Sequence, residues 1–203
     1  MIRVLFGIAL AAASALPLSA HAATQLGDTG FNILRLISAV TILVGLVTVG
    51  ASLVGFYKHQ TQPTVYTIKY CVTSFIVGCV LMIPGGAYSV VQATIVDPEY
   101  QYNRSALYDG RLLSESQGDL SNSIIGQYLS NEAWATILTF LLVIGAYFFV
   151  KGIYLFKEVA AATPGQGVTI SKPLAHIAGG VACMNITWVM CLFGGALNIS
   201  IFC

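Results

Sequence analysis

Charged side chains are what this sequence has least of: only 8% of its 203 residues are Asp, Glu, Lys or Arg, nine basic and eight acidic. A soluble domain carries about a quarter. The shortage excludes several classes of protein at once. Nine Lys and Arg scattered over the whole chain form no basic stripe, so direct nucleic-acid binding is not expected. None of the long apolar runs contains a carboxylate, which counts against a proton-coupled exporter. No nucleophile-and-base constellation, phosphate loop or metal-ligand spacing is present. Catalytic, cofactor-binding and metal-binding residues are therefore assigned to none, and an enzyme is not expected. What remains is apolar: 57% hydrophobic residues and a mean hydropathy of +0.81. In such a chain the bilayer takes the place of a soluble core. The expected fold is an all-α polytopic membrane protein.

Residues 1–22 read as a leader, with Arg3 before an apolar stretch from Val4 to Leu16 and a small-x-small sequence at Ala20-His21-Ala22. The alternative is a retained short first helix; either places residue 23 outside the inner membrane. Gly27-Asp28-Thr29-Gly30 reads as a turn and helix start, with Asp28 or Thr29 as cap. A first span is expected from Phe31 to Phe56, bearing Gly45, Gly50 and Gly55. Arg35 near its outer end reads as snorkelling or ion-paired, with an ion or substrate path as the functional alternative. A second span runs from Tyr70 to Val96. Pro84-Gly85-Gly86 should kink or break it, because proline lacks an amide donor and clashes with the preceding turn. A third runs from Ala133 to Phe156, with Gly145 and Gly152 seven apart. The fourth, Lys172 to Cys203, is an uncharged run longer than the roughly 30 Å of hydrocarbon requires. Ala175, Gly179 and Cys183, and Ala178 with Ala182, are spaced for close approach of another helix. Four organisational units follow: a signal peptide (1–22), a first transmembrane hairpin (23–96), a polar loop (97–131) and a second hairpin (132–203).

The polar loop carries Leu120, Ile124, Ile125, Tyr128 and Leu129 at helical spacing, the pattern of a short amphipathic helix on the membrane surface. Tyr100, Tyr102, Tyr108 and Trp134 suit the aromatic belt. Lys58, Lys69, Lys151, Lys157 and Lys172 flank the two short connectors with a single acid, Glu158, while the other seven acids lie at the opposite ends of the spans. Lys and Arg concentrate on the cytoplasmic side, so both connectors are expected inside and the loop and mature termini in the periplasm. The chain also reads as one hairpin written twice, Cys71, Cys79 and Gly85-Gly86 matching Cys183, Cys191 and Gly194-Gly195. The alternative is coincidence among helices of restricted composition.

Four cysteines sit in spans, where a thiol is a polarizable space-filler; only Cys203 is expected to reach the oxidising side, where an intermolecular bridge is an option. His176 reads as an interfacial hydrogen-bonding group. Asn185 lies deeper, and an interhelical hydrogen bond is the ordinary reading against ligand binding.

The stretch from His176 to Ile186, HIAGGVACMNI, preceded by Lys172-Pro173-Leu174, resembles the corresponding helix of the IcmC/DotE family of type IVB secretion systems and the related TraQ of IncI-type conjugation. These are small polytopic inner-membrane components. The resemblance implies a structural subunit of a secretion or conjugative DNA-transfer apparatus. Its partners would be other apparatus proteins and the lipid bilayer, in a homo- or hetero-oligomer. Two other readings stand beside it: a pilin-like subunit of a conjugative filament, and a small membrane transporter or channel.

Overall fold

A computed structural model of the protein describes residues 22–63, 66–96, 131–161 and 169–196. The leader up to His21 and the amphipathic helix expected in the polar loop lie outside the described residues. The described residues form six helices and no strand: α1 (Ala22–His59), α2 (Ile68–Leu81), α3 (Pro84–Ile95), α4 (Asn131–Ala161), α5 (Ser171–Met184) and α6 (Ile186–Ala196). Within α1 and α4, Asn32–His59 and Ala133–Ala161 are each long and apolar enough to cross a membrane. The remaining helices come as bent pairs. The chain turns by 89° between α2 and α3 and by 88° between α5 and α6, and each pair passes the same test when taken together.

Helix α1 shows how a membrane helix sorts its side chains. Leu34, Ser38, Thr41, Gly45, Thr48, Ser52 and Gly55 are buried, in alternating steps of four and three, the seam of a heptad-packed helix. Leu36, Leu43, Leu46, Val47, Leu53 and Val54 are exposed. Small and polar residues inside with large apolar residues outside invert the pattern of a soluble helix. The buried hydroxyls of Thr41, Thr48 and Ser52 donate to the carbonyls of Ile37, Val44 and Val49 at 2.6–2.7 Å, which satisfies them without a second helix.

Glycines set the helix contacts. A Cβ on Gly45 would lie 2.8 Å from the Gly78 carbonyl oxygen, and one on Gly145 would lie 2.7 Å from that of Gly180. The long helix of each hairpin therefore meets the first limb of its bent pair backbone to backbone. Gly45 corresponds to Gly145 and Val49 to Phe149 with a shift of 100 residues; Gly78 corresponds to Gly180 and Ile83 to Asn185 with a shift of 102. Ile83 (φ −131°, ψ 59°) and Asn185 (φ −115°, ψ 43°) turn the chain with similar backbone geometry. The two hairpins thus share a pattern of close contacts and a similar turn, in a register unlike the one read from cysteine and Gly-Gly spacing. Cys71 and Cys79 both lie on the first limb of their pair, whereas Cys183 and Cys191 straddle the break.

Other expectations are corrected. The helix passes through Gly27–Gly30 without a turn; Gly30 packs closely against Thr139 of α4, which explains a glycine inside the helix there. The fourth span is not one long helix, because Asn185 breaks it. Its stripe of Ala175, Ala178 and Gly179 is exposed, and Gly179 has open space beside it. The face that packs on α4 carries Pro173, Gly180, Val181 and Met184 instead. Gly50 likewise faces open space, so Gly50→Leu is expected to leave unfolding in detergent within about 0.5 kcal/mol of wild type. Trp134 is buried with Leu138 beneath Ile186 and Met190 of α6 rather than standing free in an aromatic belt.

Candidate functional site

Two places gather polar side chains. The first lies where the two bent pairs meet. Pro84 occupies the first turn of α3, where its missing amide costs no helical hydrogen bond. The break it imposes brings Tyr88, Ser89 and Gln92 inward, and all three are buried. The Tyr88 hydroxyl donates to Gln92 Oε1 at 2.9 Å. Across the bundle the Asn185 side-chain amide donates to the Tyr88 oxygen at 3.0 Å and to the Val181 carbonyl at 2.9 Å. The Tyr88 ring meets Phe149 edge-on, with centroids 5.8 Å apart. Asn185 thus makes the interhelical bond expected of it, and it also stabilises the break. Its amide engages the carbonyl four residues back, a competitor to the helical ladder.

Among the described residues no set of His, Cys, Asp and Glu is grouped to hold a metal ion. Two buried hydroxyl oxygens, Ser38 Oγ and Ser74 Oγ, have no hydrogen-bond partner. Ser74→Ala is expected to raise stability by about 1 kcal/mol, since an unsatisfied buried hydroxyl is lost; thermal unfolding in detergent measures it.

The second place is the end of the bundle that holds both short connectors. Lys157 Nζ, near the end of α4, lies 5.8 Å from the ring centres of Tyr154 and of Tyr70 at the start of α2. That contact puts both connectors at one end, with α1 and α4 parallel. Lys58 stands over Tyr66 at 5.7 Å, and Lys151 over Tyr147 at 5.5 Å and Phe148 at 5.9 Å. His59 Nδ1 bonds the Tyr66 carbonyl, and His176 Nδ1 bonds the Lys172 carbonyl at 2.9 Å while its ring lies against Phe148. Both hydrogen bonds are local, to carbonyls within the same hairpin. Arg35 is exposed on α1, 24 residues from His59 and so about 36 Å away along the axis. It lies at the opposite end of the bundle, where snorkelling is natural.

The cysteines divide. Cys71, Cys79 and Cys183 are free thiols, but Cys191 is disulfide-bonded, its partner outside the described residues. The expectation that all four span cysteines are space-fillers is corrected at that position.

No family model, curated protein or solved structure matches this chain.

Proposed function

We propose that the protein is an inner-membrane structural subunit of a type IVB secretion or conjugative DNA-transfer apparatus, of the IcmC/DotE and TraQ kind, working by helix packing and partner contacts rather than by catalysis. Its architecture in that reading is four spans as two tandem hairpins after a cleaved leader. Each bent pair counts as one span, and the mature termini are periplasmic. The observation that carries the reading is the resemblance at 172–186, which falls on the helix whose inner face packs on α4 and whose Asn185 closes the junction with Tyr88. The disulfide at Cys191 supports a periplasmic location for α6, since such bonds persist in oxidising compartments.

Affinity purification of the tagged protein from its native membrane in mild detergent tests it. Secretion ATPases and other transfer-apparatus proteins are expected in the eluate; recovery of the tagged protein alone would sink the proposal. One observation favours a channel or transporter as a second reading. Two broken helices meet inside the bundle, and freed helix ends line many transport sites. That path is filled by Tyr88 and Phe149, both buried, so reconstituted vesicles should show no ion flux above that of empty ones.

A further inference from the structure

The connector end of the bundle holds Lys58, Lys69, Lys151, Lys157 and Lys172 against one carboxylate, Glu158, and residues 64–65 and 162–168 add no charged side chain. Among the described residues no ion pair engages these lysines. Three of them rest on aromatic faces, a contact that uses one side of an ammonium and leaves its remaining donors free. Lys157 is distinct among them. It is half-buried, and it is the lysine placed over an aromatic ring of the other hairpin, Tyr70. The seam between hairpins therefore presents a positive charge with two phenol-bearing rings, at one end of the apolar helices.

We propose that the inter-hairpin seam of Lys157, Tyr70 and Tyr154 is a binding site for the phosphodiester headgroup of an anionic phospholipid. Charge complementarity selects the headgroup: a phosphate oxygen accepts from the ammonium and the phenols, and a net negative lipid offsets the excess of lysine. The apolar helices set the source of the phosphate: Asn32–His59 and Ala133–Ala161 are long and apolar enough to cross a membrane, so the phosphate met at their end is a lipid's. A lipid bound there bridges α2 and α4 at the end where, among the described residues, no glycine contact joins the two hairpins. The site depends on residence in a membrane and not on membership of any apparatus.

The test uses the full chain reconstituted in phosphatidylcholine vesicles containing a minor fraction of phosphatidylglycerol, then re-extracted in mild detergent, with retained lipid measured by mass spectrometry. Wild type is expected to retain phosphatidylglycerol over phosphatidylcholine by about fivefold or more relative to the bulk ratio. Lys157→Gln should bring retention to the bulk ratio, and Lys157→Arg should preserve it, showing that the seam tolerates substitution. Lys172→Gln removes the same charge from an exposed position and should leave enrichment intact. Equal loss in Lys157→Gln and Lys172→Gln overturns the proposal in favour of a diffuse electrostatic field, as does absence of enrichment in wild type. Complete displacement by inorganic phosphate overturns the lipid as the ligand.

Discussion

Gly180→Leu is expected to destabilise the protein by about 3 kcal/mol, the upper end of what overpacking a well-filled contact costs. The adjacent Gly179→Leu should change stability by no more than about 0.5 kcal/mol. A Cβ on Gly180 would stand 2.6 Å from the Phe149 backbone nitrogen and 2.7 Å from the Gly145 carbonyl oxygen, whereas one on Gly179 meets nothing. Backbone cannot yield as a flexible side chain can, so α5 must move off α4. In a bilayer the loss is not offset elsewhere, because lipid is as apolar as the displaced surface and helix association rests on close packing. Denaturation in detergent of the two variants side by side decides it. Equal behaviour would mean that α5 packs on α4 through the other face, the one carrying Ala175, Ala178 and Gly179.

Tyr88→Ala is the second large effect, at about 3–5 kcal/mol for truncating a buried aromatic side chain. The ring lies fully buried between Phe149, Gln92 and Asn185, so its loss leaves a cavity and removes a hydrogen bond from each of two amide side chains. A gentler pair separates packing from hydrogen bonding. Asn185→Ala and Tyr88→Phe, combined in a double-mutant cycle, should show a coupling of about 0.6 kcal/mol and at most about 1.7, the range for interhelical hydrogen bonds in membranes. Additivity of the two changes would show that the bond contributes nothing to stability.

Much of this architecture was legible in the sequence, and the failures have physical causes. Apolar runs and the distribution of lysine marked the helices and their common end. Pro84 marked the first break because proline acts on the backbone directly. The second break carries neither proline nor glycine; it rests on one amide side chain that reaches the Val181 carbonyl and the Tyr88 hydroxyl. Asn185 was visible as a polar residue in an apolar run, but its partner stands 97 residues away and no local pattern points to it. A Tyr followed one turn later by Gln in an apolar run was the available signal for the junction.

Helix faces were harder than helix spans. In α5, Gly179 and Gly180 are neighbours, so two small-residue stripes about 100° apart fit the same stretch, and only the partner decides between them. The likeness of the two hairpins was legible, yet the cysteines and Gly-Gly pairs matched in the sequence do not occupy like places in the structure. The correspondence lies in the glycines that permit backbone contact and in the two residues that turn the chain. Cysteine identity is weakly constrained by packing, whereas a glycine in backbone contact has no substitute.

Insertion of both hairpins in the same sense is the claim on which the topology, the lipid site and the proposed role all rest. Its direct measurement is labelling of single cysteines, introduced at Gln60, Thr169 and Asn32 in a variant without the free thiols Cys71, Cys79 and Cys183, with a membrane-impermeant thiol reagent. Intact spheroplasts and inside-out vesicles supply the two faces. Positions 60 and 169 should label only from the cytoplasmic face and position 32 only from the other. Labelling of 60 and 169 from opposite faces would contradict the architecture.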